Sequence, residues 1–169
     1  MNCDKPITRD ELLSNLTYNH ITGEIKSKRT KRISRAGRER VFKKNTKKGY
    51  VRISLDKRFI YAHRAAWIMH YGVYPSFTID HINGIKDDNR ICNLREASFC
   101  ENNQNKKIIS TNTSGVKGVS YDKNQKKWRA TIIKNGITCY RKRFDSLEEA
   151  EQQIKINRKI IHGDFSRDE

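Results

Sequence analysis

Asn135-Gly136 stands between two runs of alternating residues, and no other feature of the chain restricts its fold so tightly. A two-residue hairpin loop needs positive φ at both central positions, which Asn and Gly tolerate. The flanking runs, 128–134 and 138–144, are therefore expected as antiparallel strands, with a third over 116–121. Ser146-x-x-Glu149 then has the form of a capping box. Leu147, Ala150, Ile154 and Ile161 follow at helical spacing until Gly163 stops the run. Trp128, Ala130 and Ile132 share one face of the middle strand and should pack on Leu147, Ala150 and Ile154. Arg129, Thr131 and Ile133 point the other way. In the last strand Thr138, Tyr140 and Lys142 share a parity; Phe144 shares it too but is apolar, so the strand is expected to bend or end before it.

The rest of the chain is less regular. Thr8-x-x-Glu11 ahead of Leu12, Leu13 and Leu16 reads as a capping box opening a short helix. Thr22-Gly23 marks a turn between short strands. Residues 29–48 are basic with little apolar content, expected as a loop or exposed ribbon. Val51, Ile53 and Leu55 alternate with polar residues, a half-buried strand that turns at 56–58. A helix follows over 62–71, closed by Gly72. Short strands are expected at 77–81 and 94–97, joined by a polar loop, with Ser98 capping a helix through Asn105. Residues 106–114 have the composition of a linker.

Charge narrows the function. Thirty-six Lys and Arg stand against 19 Asp and Glu, a formal charge of +17, which asks for a polyanion. The charge is uneven. Residues 1–60 hold 17 basic and 6 acidic side chains, residues 61–110 hold 6 and 5, and residues 111–169 hold 13 and 8. Two basic flanks thus enclose a nearly neutral middle, as a chemical centre between gripping surfaces would require. No run approaches the ~18 apolar residues of a membrane span, and the N-terminus lacks an apolar signal core. Cys3, Cys92, Cys100 and Cys139 form no C-x-x-C pair, so neither a structural zinc nor a disulfide framework is expected. Free thiols suit a reducing cytoplasm.

The neutral middle contains Asp80-His81, Asn93 and Asn102. Phosphodiester hydrolysis needs a base for water and a cation on the phosphoryl oxygens, both fixed in place. Imidazole suits the first role near neutral pH. Carboxylate and amide oxygens suit a hard divalent ion. Adjacent strand residues face opposite ways, so Asp80 and His81 can share a site only at a strand end or irregularity. Ile82-Asn83-Gly84 allows such a break.

The run His63-Arg64, Ile79-Asp80-His81-Ile82-Asn83-Gly84, Asn89-Arg90, Cys92-Asn93-Leu94-Arg95 and Glu101-Asn102-Asn103-Gln104-Asn105 resembles the HNH endonucleases, in particular the phage homing branch with its strand–strand–helix metal finger. Eight residues separate Asn93 from Asn102, the family's gap, and Asn stands in the last position, where many members have His. The resemblance implies that Asp80 and Asn102 bind one Mg²⁺ or Mn²⁺, that His81 is the general base and that Asn93 is structural. Asn103 replaces Asn102 if the helix register is off by one. His63 is expected to be structural, bonding a backbone group. Arg64 is expected on a phosphate or a carboxylate, and Arg52 belongs to the basic set over 26–58 that would track phosphates.

The C-terminal segment resembles the plant ethylene-response-factor type of DNA-binding domain through Gly115-Val116-Lys117-Gly118-Val119, Lys127-Trp128-Arg129-Ala130, Phe144 and the helix from Glu148-Glu149-Ala150 to His162-Gly163. That resemblance implies Lys117, Arg129, Thr131, Thr138 and Tyr140 as DNA contacts, while Ser120, Thr131 and Ile133 replace charged residues of the plant domains. The expectation is an α+β chain: a basic N-terminal region and nuclease domain over 1–105 with its finger at about 76–105, a linker over 106–114, and a three-stranded sheet on one helix over 115–165. It would act in the cytoplasm of a bacterial or phage-infected cell as a monomer on double-stranded DNA, nicking one strand per site. The alternatives are a DNA-binding regulator with a degenerate finger and, on charge alone, an RNA-binding protein.

Overall fold

A computed structural model describes residues 5–28, 40–43, 46–106, 108 and 110–166. Most of the basic stretch expected as a loop or ribbon, 29–39 and 44–45, lies outside them. The chain forms two compact units, Met1–Ala97 and Ser98–Glu169.

In the first unit, helix α1 (Arg9–Asn15) opens with the full capping box: Thr8 Oγ1 accepts from the Glu11 N–H, and Glu11 accepts from the Thr8 N–H. Strands β1 (Leu16–Tyr18), β2 (Ile25–Ser27) and β3 (Arg40–Val41) form a small antiparallel sheet. Strands β4 (Arg52–Leu55) and β5 (Arg58–Tyr61) make a hairpin. Its two turn residues, Asp56 and Lys57, have φ of 45° and 67°. Helix α2 (Ala62–Tyr71) ends on left-handed Gly72. Strands β6 (Thr78–His81) and β7 (Leu94–Ala97) pair with Asp80 opposite Arg95 and His81 opposite Leu94. One apolar cluster unites these pieces, with Leu12, Leu16, Ile53, Ala65, Ala66 and Ile68 almost fully buried. It supplies the rigid back wall on which the β6–β7 hairpin rests, through Ile79 and Leu94.

The second unit holds α3 (Phe99–Gln104), strands β8 (Val119–Asp122), β9 (Lys127–Lys134) and β10 (Ile137–Phe144), and α4 (Leu147–His162). The sheet order is β10-β9-β8, antiparallel throughout, with Asn135 and Gly136 at φ 52° and 79° in the tight turn. Ala130, Ile132 and Phe144 pack on Ala150 and Ile154, with Trp128 and Leu147 against them. Gly118 (φ 75°) lies so close that an added Cβ would come within 2.8 Å of both Ile154 Cδ1 and the Thr131 carbonyl. Only glycine fits there.

Two differences from the sequence expectation have physical causes. The register of β10 shifts between Thr138 and Tyr140. This bulge takes up one residue, so Tyr140 pairs with Ile132, and Phe144 with Trp128, all facing the helix. Tyr140 is therefore on the packed side, whereas Arg141 and Arg143, opposite Thr131 and Arg129, join the exposed face. The strand does not end before Phe144; the bulge supplies the expected bend. Secondly, α3 groups with the residues after it, although the nuclease segment was expected to run to 105. Lys117 accounts for this: its Nζ donates to the carbonyls of Gln104 (2.6 Å) and Lys106 (2.7 Å), tying down the helix's C-terminal end.

Candidate active site

The β6–β7 hairpin carries Asp80 and His81. Asp80 and His81 sit at the end of β6, only 6% and 4% exposed. Burying two ionisable neighbours demands partners. Asp80 Oδ2 accepts from Arg95 Nε at 3.0 Å and Nη2 at 2.9 Å, straight across the ladder. His81 Nε2 lies 3.4 Å from Asn89 Oδ1.

Between the strands, the loop is closed by side chains. The Ile82 N–H donates to the Asn93 carbonyl at 2.9 Å, and the Gly84 N–H to the His81 carbonyl at 2.8 Å. Asn93 Oδ1 accepts from the Asn83 N–H at 3.0 Å, and its Nδ2 donates to the Asp88 carbonyl at 2.8 Å. Asn83 Nδ2 reaches Asp88 Oδ2 at 2.7 Å, and Arg90 grips the same carboxylate. Hydrogen bonds from Arg90 and Asn83 hold the Asp88 carboxyl down at about 2, against the opposing effect of burial. A buried amide that bridges two backbone segments ends a strand where the side-chain alternation must be broken.

Asn89, to which the sequence pattern assigns no role, is the residue that orients His81. It is buried, and its Nδ2 donates to the Asp87 carbonyl at 3.2 Å. That bond turns Oδ1 toward the imidazole. A carbonyl oxygen only accepts, so His81 Nε2 carries the proton. The neutral ring then holds its lone pair on Nδ1. Burial pushes the His81 pKa below the usual imidazole range, opposed by the Asn89 contact and by Asp80, Asp88 and Asp87. The loop is braced in turn by the first sheet: Tyr18 donates its hydroxyl to the Asn89 carbonyl at 2.8 Å, and the Ile91 N–H donates to the His20 carbonyl at 3.2 Å. Gly23 presses on it so closely that a Cβ would stand 2.6 Å from the Arg90 nitrogen.

His63 meets His81 edge-on at 5.2 Å and stacks on Tyr61 at 5.4 Å, with Tyr50 5.5 Å away. Its Nδ1 is buried and makes no hydrogen bond, so the backbone bond expected of it is not made there. Aromatic packing holds the ring instead. Burial, with smaller contributions from His81 and Arg64, pushes its pKa down to about 3. His63 is a neutral spacer at working pH.

The structure thus gathers Asp80, His81, Asn93 and His63 in the first unit. Asn102 lies on α3 of the second unit, with Asn103 beside it. Among the described residues, no three His, Cys, Asp or Glu side chains form a metal-holding group. The donor set suits a hard divalent cation all the same. Carboxylate and carboxamide oxygens are both hard donors of the kind such an ion takes.

The expected DNA contacts divide. Arg129 and Thr131 lie on the outward side of β9, and Thr138 is opposite Ile133 on the same side. Tyr140 turns inward and Lys117 caps α3. Arg52 lies on the solvent side of the β4–β5 hairpin, and Arg64 is half-buried on α2.

Residues 60–104 match the family model of the HNH endonucleases. The chain is 36% identical over 106 residues to Protein 3.8 of Escherichia phage T7, an alignment covering 62% of this chain and 87% of that protein. It is 33% identical over 110 residues to an uncharacterized HNH endonuclease of Acanthamoeba polyphaga mimivirus, covering 64% of this chain and 54% of the relative. No solved structure matches.

Proposed function

Since residues 60–104 carry an HNH endonuclease domain, we propose that the chain is a site-specific DNA endonuclease of the homing type that nicks one strand of double-stranded DNA per active site. The observation that carries this reading is the buried Asp80-His81 pair with its imidazole oriented by Asn89. Binding DNA requires neither a desolvated base nor an amide that selects its tautomer.

In this reading His81 Nδ1 takes the proton of the attacking water. The low pKa keeps the ring unprotonated and ready. Asn89 keeps Nε2 protonated through the step and then faces the imidazolium with an acceptor. Asn93 holds the loop so that the imidazole does not drift from the phosphate. By the family resemblance, Asp80 and Asn102 would hold one Mg²⁺ or Mn²⁺. When bound, such an ion neutralises charge on the phosphoryl group and the leaving 3′ oxygen.

The C-terminal module anchors the enzyme as an ethylene-response-factor-like domain. The face it would present carries Arg129, Thr131, Thr138, Arg141 and Arg143. A small twisted sheet of this kind can enter a major groove. The enzyme acts as a monomer.

One observation favours the non-catalytic regulator instead: the Arg95 guanidinium occupies one oxygen of Asp80. Incubation of supercoiled plasmid carrying host or phage genomic inserts separates the two. The endonuclease gives open circles with Mg²⁺ and none with chelator. Tight binding without nicking in either condition leaves the regulator.

A further inference from the structure

Alongside β5 the first unit holds a cavity of about 520 Å³, lined among others by Lys5, Lys57, Arg64, Phe59, Tyr61 and Tyr74. None of its described lining residues is acidic. The β4–β5 register puts Arg52 opposite Tyr61 and Ser54 opposite Phe59, so these four share the solvent face while Ile53 and Ile60 turn into the core. Phe59 is left 59% exposed and Tyr61 42%. The Arg52 guanidinium lies 4.4 Å over one face of Phe59 and His63 stacks on Tyr61, so a ligand would use the other, exposed side of each ring. Tyr74 fixes the opposite wall by donating its hydroxyl to the Ile7 carbonyl at 2.6 Å. The volume is that of a small-ligand site.

Aromatic rings flanked by Lys and Arg suit a nucleobase with its phosphate, because every base has a π-face and every nucleotide a negative charge. One wall of the cavity, Tyr61, also belongs to the ring cluster around the candidate base. Tyr61 lies parallel to His63, 9° between planes, and His63 meets His81. The two ring-to-ring steps of 5.4 and 5.2 Å keep Tyr61 within at most about three nucleotides of the imidazole at ~3.4 Å rise each.

We propose that this cavity binds one unpaired nucleotide of the DNA strand, its base stacked on Phe59 and Tyr61 and its phosphate held by Lys5, Lys57 and Arg64. The inference rests on the endonuclease reading and deepens it. In an intact duplex the bases are stacked and offer no free face. The preferred substrate is therefore DNA opened, or already unpaired, within a few nucleotides of the cut.

The test uses the full chain carrying His81→Ala, so that nothing is cut, and a single-stranded thymidine hexanucleotide with one 2-aminopurine. Stacking on an aromatic ring quenches 2-aminopurine. The parent should quench on binding. Phe59→Ala and Phe59→Leu should both lose that quenching and bind about tenfold more weakly, the size expected for one base–aromatic stack. Phe59→Tyr should keep both. Phe59 is exposed, so all three variants should retain the parent's circular dichroism. Quenching that persists undiminished in Phe59→Ala, or none in the parent, overturns the proposal. Because nothing is read from cleavage, quenching by this parent alongside a wild-type protein that never nicks plasmid would sink the endonuclease reading and leave the nucleotide site standing.

Discussion

The loop between β6 and β7 and the sheet of the second unit are both small, yet they are held by opposite means. In the loop, amides and carboxylates tie side chains to backbone, with Asn93 and Asp88 as its two knots. The sheet is held by burial, with Ala130, Ala150 and Ile154 at 0% exposure. Hydrogen bonds have direction, so they fix where an imidazole points. Apolar burial is non-directional and gives stability with tolerance. The proposed function would put the chemistry where direction matters and the anchoring where bulk stability does.

That contrast can be broken most severely from the apolar side. Ile154→Ala should destabilise the second unit by about 2–5 kcal/mol, the cost of a large-to-small change in a packed core. Thermal or urea unfolding would show it. A cost near zero would mean that the sheet does not depend on its helix.

In the polar loop the same experiment should read differently. Asn93→Ala strips partners from the Asn83 N–H and the Asp88 carbonyl, at about 1–3 kcal/mol for a buried group left unsatisfied. Cleavage should fall by far more than that loss of stability explains. Asn93→Asp keeps an acceptor for Asn83 but loses the donor to Asp88, and should lie between. Equal cleavage by all three proteins would make the loop mere scaffolding.

Much of this contrast was legible because its signals are local. Thr8 closes a capping box, Ser98 caps its helix, and Asn135-Gly136 closes the hairpin, within three residues of sequence. The alternation of Trp128, Ala130 and Ile132 gave the packed face directly. The misplacement of Tyr140 came from counting by twos through Cys139, where the bulge adds one residue and reverses every later side chain. A hint was present, since Phe144 could not have been exposed with Thr138. Asn89 was illegible for another reason. Nothing in a loop amide tells that its Nδ2 will be taken by Asp87 and its Oδ1 by His81. Lys117 likewise has the look of a DNA contact in sequence, yet its amine is spent on the carbonyls of Gln104 and Lys106.

The smallest effect on stability should come from the exposed sheet face. Arg141→Ala should change stability by less than about 0.5 kcal/mol. DNA affinity should weaken a few-fold, and the slope of log K against log salt should become shallower by about one unit for each phosphate no longer neutralised. Tyr140→Phe, on the packed face, should leave both unchanged. The reverse pattern would put the DNA surface on the other side of the sheet.

The central claim is that His81 serves chemistry and not grip. Its most direct test is one preparation of His81→Ala assayed twice, for Mg²⁺-dependent nicking and for DNA affinity. Nicking should fall by about 10²–10⁴-fold, as for loss of a general base, while the dissociation constant stays within a few-fold. Nicking at the wild-type rate, or affinity lost in step with activity, would contradict the account.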